Sequence, residues 1–472
     1  MKHLIISSLF LVACGRNAND LQIDNGQSLA SGVTISRVSL YQGPETRLSD
    51  YGVQATPDLP IIAGRDGYVR VFYDAPGQAG VAATGVLELS TGEVYQQPAT
   101  LVEASTEASV SSTFNFQVPG EAITEAGFDY RVYIVDEANS SGEDTLGAIH
   151  PDEGFELHAT EREHIFKVTL VPYQYNADGS GRVPDTSPAA IAALEDRFRQ
   201  LYPISDIELT VLNPIPWNGA IQPNGTGWQE VGLNLYSLRL NAGAANDEYY
   251  YAMFNPASSL SQFCGGGCLL GVTLLNTDAD PTLNLALGVG FPEQVADTMA
   301  HEIGHSHGRP HANCGPGLDP QSIDPNYPYP GGTIGELAYD IVGGGIIPST
   351  QADIMSYCYP QWISDYNYLA LWNRAEIFRS AAVARSDVAT ALPGELIVIE
   401  GDGVATWVGS DMDLPWRSGK ALEVRAGFAE QVEGRFVAWD HMPGGWLILP
   451  SQPDHVDTLS FELEGVRYEV SR

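Results

Sequence analysis

Apolar and polar residues alternate with a period of two near both ends of the chain and at helical spacing in its middle. From Val33 to Glu163, short β-rich runs (Ile35–Tyr41, Tyr68–Tyr73, Gly85–Leu89, Ser111–Val118 and Tyr130–Val135) are separated by Gly, Pro, Asp or Ser. Strands of this length and spacing predict an antiparallel β-sandwich of immunoglobulin-like type over 33–163. The pattern changes at His164. An apolar strand, Phe166–Val171, precedes a helix over Pro188–Leu201, with Ser187 as N-cap and Ile191, Leu194, Phe198 and Leu201 on one face. Further strands at Ile207–Leu212, Tyr249–Phe254 and Leu269–Leu275, a helix from Pro292 to His307 and another from Ser364 to Ala381 make 164–382 an α/β unit. After Ala382 short alternating runs return, predicting a second β-sandwich over 383–472. The expected architecture is therefore multidomain, an α/β domain flanked by two all-β sandwiches.

The beginning of the chain is an address. Met1-Lys2-His3 is followed by the apolar run Leu4–Ala13, which is too short for a stable membrane span and reads as a signal peptide over 1–13. Leu11-Val12-Ala13-Cys14 resembles the bacterial lipobox, and the resemblance implies cleavage before Cys14, lipidation of that cysteine and a membrane-anchored lipoprotein at the outer membrane or cell surface. The small polar residues of 14–32 then read as a tether. The later apolar stretch Leu269–Phe291 is broken by Asp278, Asp280 and Pro281, so it is read as strands and loops.

Charge narrows the partners. The chain carries 23 basic and 59 acidic residues, net −36, which disfavours nucleic acid and anionic lipid surfaces. Setting Cys14 aside leaves four cysteines (Cys264, Cys268, Cys314, Cys358), an even number suited to an oxidising compartment, with three pairings open. The lone C-x-x-x-C lacks a second pair for a Cys₄ zinc site.

The chemistry is concentrated in His301-Glu302-Ile303-Gly304-His305-Ser306-His307-Gly308-Arg309-Pro310-His311. His301 and His305 are one helical turn apart, so both imidazoles can grip one ion. Glu302 lies about 100° round the helix, where it can meet a water on the metal without ligating it. Gly308 permits the left-handed turn that ends the helix, and Pro310 keeps it from resuming. His311 can then swing back as third ligand, and three imidazoles with an open fourth position suit a catalytic Zn²⁺. His307 falls on another face and reads as a supporting or surface residue.

These eleven residues resemble the metzincin signature H-E-x-x-H-x-x-G-x-x-H at every fixed position. The resemblance, which covers about 164–382, also implies a methionine in a tight turn beneath the zinc. Asp353-Ile354-Met355-Ser356-Tyr357 fits, with Met355 44 residues (355 − 311) beyond His311. Met-x-Tyr is similar to that of astacins and serralysins, which implies a metal-side or oxyanion-stabilising hydroxyl at Tyr357. With this arrangement the favoured disulfides are Cys264–Cys268 and Cys314–Cys358, the second pinning the third-ligand loop to the methionine turn. Ala312, after the third histidine, assigns no subfamily.

The function implied is that of a zinc endopeptidase, with Glu302 as general base toward a zinc-activated water and an extended extracellular polypeptide or glycoprotein as substrate. The alternative is a surface adhesin or glycan-binding lipoprotein whose zinc domain is structural or inactive. Two further loops, Asn176–Gly181 with Asp185 and Asn276–Asp280, have the oxygen-rich composition of Ca²⁺ sites but lack a positioned bidentate Glu, so turns are the expected reading. Gly265-Gly266-Gly267 lies beside an expected edge strand, where a substrate could add as a strand.

Overall fold

The computed structural model describes residues 28–136, 145–318, 320–383, 392–401, 403–415, 418–427, 430–452 and 456–472. The segment 1–13, Cys14 and the tether as far as residue 27 lie outside the described residues.

The N-terminal part is a sandwich of two antiparallel sheets. In one, Thr34–Tyr41 pairs with Glu45–Asp50 and Gly67–Asp74; in the other, Ala82–Leu89 lies between Val94–Thr100 and Phe128–Val135. Their inward-facing residues, among them Val38, Leu40, Val69, Val71, Val86, Phe114 and Val132, form one buried cluster. The sandwich begins earlier than Val33. Leu29 and Ala30 are buried, and the Ala30 amide bonds to the Ile134 carbonyl, so the end of the expected tether belongs to the sheet.

This sandwich contains a buried ionic cluster. The Glu156 carboxylate meets the ring nitrogens of His150 (2.5 Å) and His158 (2.7 Å) and accepts from the Tyr130 hydroxyl (2.8 Å). Although burial opposes ionisation, the bonds from His150, His158 and Tyr130 prevail and draw the Glu156 pKa down to about 2. A carboxylate depressed in the fold contributes stability that is present above its ordinary pKa of 4.5 and is lost as pH falls through the folded value. Glu156→Gln is therefore expected to destabilise the sandwich by about 2 kcal/mol at pH 7. In urea titrations the gap from wild type should shrink progressively between pH 4.5 and about 2.

The central part is built on a mixed sheet in the order Asp206–Val211, Ile165–Tyr175, Glu248–Phe254, Leu285–Val289, Gly271–Val272. The first four strands are parallel and the last, at the edge, is antiparallel. Alternation along Glu248–Phe254 shows both faces covered. Tyr249, Tyr251 and Met253 join a cluster with helices α1 (Pro188–Leu201), α4 (Val295–Ser306) and α5 (Asp365–Val383), while Tyr250, Ala252 and Phe254 face α2 (Trp228–Asn241). The short helix α3 (Leu260–Phe263) lies before the Cys264–Cys268 bridge.

Helix α1 has the expected bounds, with the Ser187 side chain capping the Ala190 amide. Helix α2 was not foreseen. Its Trp228, Val231, Leu235 and Tyr236 are buried in one cluster, but Gln229, Gly232, Asn234 and Arg239 interrupt the apolar pattern on which a sequence reading depends. Of the strand expected over Leu269–Leu275, only Gly271–Val272 pairs with Leu285–Val289. The next residues turn to the C-terminal part: Leu274 forms an antiparallel bridge with Trp439.

That C-terminal part is all-β, as expected of a second sandwich, but its strands are joined in one curled sheet. Its seven strands form one antiparallel sheet in which the first and last, Ala405–Leu414 and Val466–Ser471, come together as the sheet curls. Residues on one side (Leu396, Val398, Trp446, Ile448) join the cluster around α2 and the central sheet, and those on the other (Ile397, Ile399, Leu447, Leu449) form its own core. It is thus not a hanging module. It is packed into the same core as the sheet that carries α4.

The N-terminal sandwich is fastened just as directly. Arg65, 1% exposed, donates to the carbonyls of Gln42, Ile204 and Arg199, tying the sandwich to the end of α1.

Candidate metal centre

Helix α4 packs Met299, Ala300 and Ile303 into the core against the sheet and α1, which turns His301, Glu302 and His305 the other way. At its end the Gly308 amide returns to the His305 carbonyl (2.8 Å) and Arg309 to Gly304 (3.1 Å), with Gly308 at φ 78°. A Cβ there would lie 2.5 Å from the Arg374 guanidinium and 2.8 Å from the Asn276 carbonyl oxygen. Gly308→Ala is therefore expected to cost about 2 kcal/mol in urea unfolding, from the strained φ and the crowding together.

Beyond this turn His311 is fixed by its amide bonding to the Ser322 carbonyl (2.9 Å), and its carbonyl accepts from Asp324 (2.9 Å). Met355 lies under the helix, where Gly304 makes room: a Cβ on Gly304 would sit 2.5 Å from the Met355 sulfur. The turn around Met355 is organised by the buried Asp353 carboxylate, which accepts from the Met355 amide (2.8 Å), the Ser364 amide (3.0 Å) and the Asn367 amide group (2.7 Å). The Ile354 carbonyl in turn accepts from His301 Nδ1 at 2.6 Å.

The two disulfides are Cys264–Cys268 and Cys314–Cys358. The second joins the loop after His311 to the turn containing Met355. The Ala312 amide also bonds to the Met355 carbonyl (2.7 Å), and the Tyr357 amide to that of Cys314 (2.9 Å).

The structure brings His301, His305 and His311 together and adds a fourth imidazole, His441, from the C-terminal sheet. The Nε2 atoms of His301 and His305 are 3.0 Å apart, those of His305 and His311 3.1 Å, and those of His301 and His441 3.1 Å. Each Nδ1 faces a group of the protein: the carbonyls of Ile354 and Arg309 for His301 and His305, the hydroxyls of Ser322 and Tyr357 for His311 and His441. For His301 and His305 the carbonyl fixes the proton on Nδ1, so their Nε2 atoms present lone pairs to one another. Burial holds the three ligand candidates neutral, with His301 lowered to about 3, His311 to about 2 and His305 well below its usual value.

Converging lone pairs are repulsive unless a cation sits among them. Tetrahedral Zn²⁺ with nitrogens at about 2.0–2.1 Å separates neighbouring ligand atoms by about 3.3 Å, close to the spacings seen. The donor set therefore fits zinc.

Glu302, 2% exposed, lies beside this group, its Oε1 3.2 Å from His441 Nε2 and its carboxyl hydrogen-bonded to that of Asp440. Burial raises its pKa to about 8. The Asp440 side chain, also buried, shares a hydrogen bond with Glu302 and carries an Oδ2 that lies 3.4 Å from the Nε2 atoms of His305 and His441. A cavity of about 330 Å³ opens at this point, lined by Leu269, Leu270, Gly271, Thr298, Tyr359 and the site residues His301, Glu302, Tyr357 and His441. Gly271 is the close approach: a Cβ there would lie 2.5 Å from Glu302.

Other expectations resolve differently. His307 is neither ligand nor surface residue; it is buried, stacked on Tyr249 at 4.8 Å and bonded to its hydroxyl at 3.1 Å. In the loop Asn176–Gly181, Asp178 pairs with Arg182 (2.6 Å), and Asp185 accepts from the Ser187 amide (2.8 Å). In the other calcium-like loop, Asp280 accepts from Thr282 and from Ser418 (2.8 Å), and Asp278 from the Gly419 amide (2.8 Å). Its carboxylates therefore dock the C-terminal sheet. Gly265–Gly267 remain an exposed turn inside the small disulfide loop.

Asp440 and His441 are the residues that the sequence reading missed. Trp439-Asp440-His441-Met442-Pro443-Gly444-Gly445 reads only as a turn between two strands, some 130 residues beyond the histidine cluster (441 − 311). No spacing rule joins a lone histidine to ligands that far away.

No family model matches the chain, and no curated protein matches it. Among solved structures, a crystal structure provisionally described as a beta-galactosidase from Bacteroides fragilis is similar over 49% of this chain and 30% of that one, at 12% identity and a TM-score of 0.14, too slight a likeness to carry any argument.

Proposed function

We propose that this chain is an exported, zinc-dependent endopeptidase of metzincin type, held at a membrane through lipidated Cys14 and acting on extended segments of extracellular proteins or glycoproteins. The observation that carries this reading is Glu302, a buried carboxyl at the cavity wall set against the convergent nitrogens of His301, His305 and His311. Bound zinc would supply Lewis acidity and lower the pKa of water toward about 7. The chain's own residues do the rest. Glu302 takes a proton from the attacking water and returns it to the leaving amine nitrogen. The Tyr357 hydroxyl, at the cavity wall, donates to the developing oxyanion. Leu269, Leu270 and Gly271, next to the antiparallel edge strand, offer backbone and apolar wall to an extended peptide.

A structural zinc site in a surface adhesin is the second reading, and it is favoured by one observation: with His441 the site has four imidazoles and is closed, as structural sites are. Against it stands the cost of burying two carboxyls, Glu302 and Asp440, against one another beside the imidazoles, for which a structural site has no use. The test is zinc content together with cleavage of an unfolded polypeptide, with and without chelator and with Glu302→Gln. One zinc per chain with no Glu302-dependent cleavage, even when His441 is replaced, would leave the structural reading standing.

A further inference from the structure

We propose that the Asp440–His441 turn is a built-in plug: His441 occupies the fourth ligand position of the zinc site, and the site opens to substrate when this side chain withdraws. The inference rests on the reading above and adds the regulation of that same centre.

The geometry is specific. The strand Glu430–Ala438 runs on past its own sheet to pair with the central domain. The Leu275 amide bonds to the Ala438 carbonyl (3.1 Å), the Asp440 amide to the Thr273 carbonyl (3.1 Å), and the Thr273 amide to the Asp440 carboxylate (2.9 Å). Trp439 packs on α2 at Gly232, where a Cβ would come within 2.8 Å of its ring. Trp446, fully buried, anchors the far side of the turn. Between these anchors His441 projects over α4. Its Nε2 is 3.1 Å from His301 Nε2 and 3.2 Å from Glu302 Oε1, and its Nδ1 bonds to the Tyr357 hydroxyl.

His441 therefore holds three things at once. It fills the vertex that three protein ligands leave open, it stands where a water would have to meet Glu302, and it occupies the hydroxyl of Tyr357. A catalytic zinc site keeps one position free, whereas a structural one is closed by protein. The Glu302 environment belongs to the first kind and the ligand count to the second. Both fit one molecule if the fourth ligand is reversible. Opening asks for the His441 side chain to swing out of the site while Asp440 stays held by Thr273 and Met442 by the cluster around α2.

The experiment uses the full chain loaded with Co²⁺, as wild type and as His441→Ala, with azide as the probe of a free position and an unfolded, carboxymethylated polypeptide as substrate. In wild type the visible spectrum should be indifferent to azide. In His441→Ala the metal should stay bound, azide should shift the spectrum, and cleavage should rise about tenfold or more, as expected when the open state is a minor population. Azide binding equally well to wild type would overturn the plug. So would loss of the metal from a folded His441→Ala chain, because His441 would then be a permanent structural ligand. Azide binding restricted to the variant, with cleavage by neither protein, would keep the plug and defeat the endopeptidase reading. Should His441→Ala fail to fold, the same azide titration is made on His441→Asn, which keeps a polar atom near the Tyr357 hydroxyl but has no Nε2: a metal-loaded variant that responds to azide supports the plug, and one that does not overturns it.

Discussion

Glu302→Gln is expected to lower cleavage of an unfolded polypeptide by about 10³-fold, within the range of a lost general base, while zinc stays bound at one per chain. The comparison is best made in the His441→Ala background, where the fourth ligand does not limit the rate. Gln is nearly isosteric with Glu, so it keeps the packing against Gly271 while removing the proton acceptor. It also removes one of two carboxylates buried side by side, Glu302 and Asp440, so the metal-free variant should unfold no earlier than its parent. Activity and stability thus part company. Joint loss of zinc and fold would point to a structural role for Glu302, and cleavage within tenfold of the parent would remove it from the chemistry.

The second large effect concerns Cys314–Cys358. This bridge closes a loop with a sequence separation of 44, for which chain entropy gives about 4 kcal/mol. Replacing both cysteines with serine should lower Tm by about 10 °C in a domain of this size. Because the bridge joins the His311 loop to the turn of Met355 and Tyr357, it should also weaken zinc binding, by about tenfold, as losses of supporting contacts do. The Cys264–Cys268 pair, separated by four residues, is the control. Its removal should cost about 2 kcal/mol and leave zinc affinity unchanged. Calorimetry with a competitive zinc titration reads both effects, and equal zinc affinities in the two double variants would detach the larger bridge from the metal centre.

What could be read in advance follows the range over which sequence patterns act. The period-two runs located five of the ten strands of the N-terminal sandwich and the strand-rich character of the C-terminal part, because pleating repeats over adjacent residues. Ser187 and Pro188 marked the start of α1 through a local cap. His301 and His305 share a helix face by the 3.6-residue turn, with Glu302 about 100° round from them, and Gly308 needs its left-handed φ within the same few residues. Where the pattern is broken, as by the polar residues of α2, nothing local announces the helix, and only burial under the C-terminal sheet explains it.

The sequence by itself determined the convergence of three imidazoles and a carboxylate, since helical periodicity and one glycine turn suffice to bring them together. The tertiary structure alone decided that the C-terminal strands form one curled sheet, because register and curl depend on which faces find partners, and both of its faces do. It alone also decided that this sheet is packed onto α2 and the central edge, carrying Asp440 and His441 over α4. Pairing between Leu274 and Trp439 spans 165 residues (439 − 274), a separation at which no periodicity survives and only complementary apolar surfaces select the partner. The negative charge bears on partners, but the ring of imidazoles is completed by one histidine that the fold delivers from a distant turn.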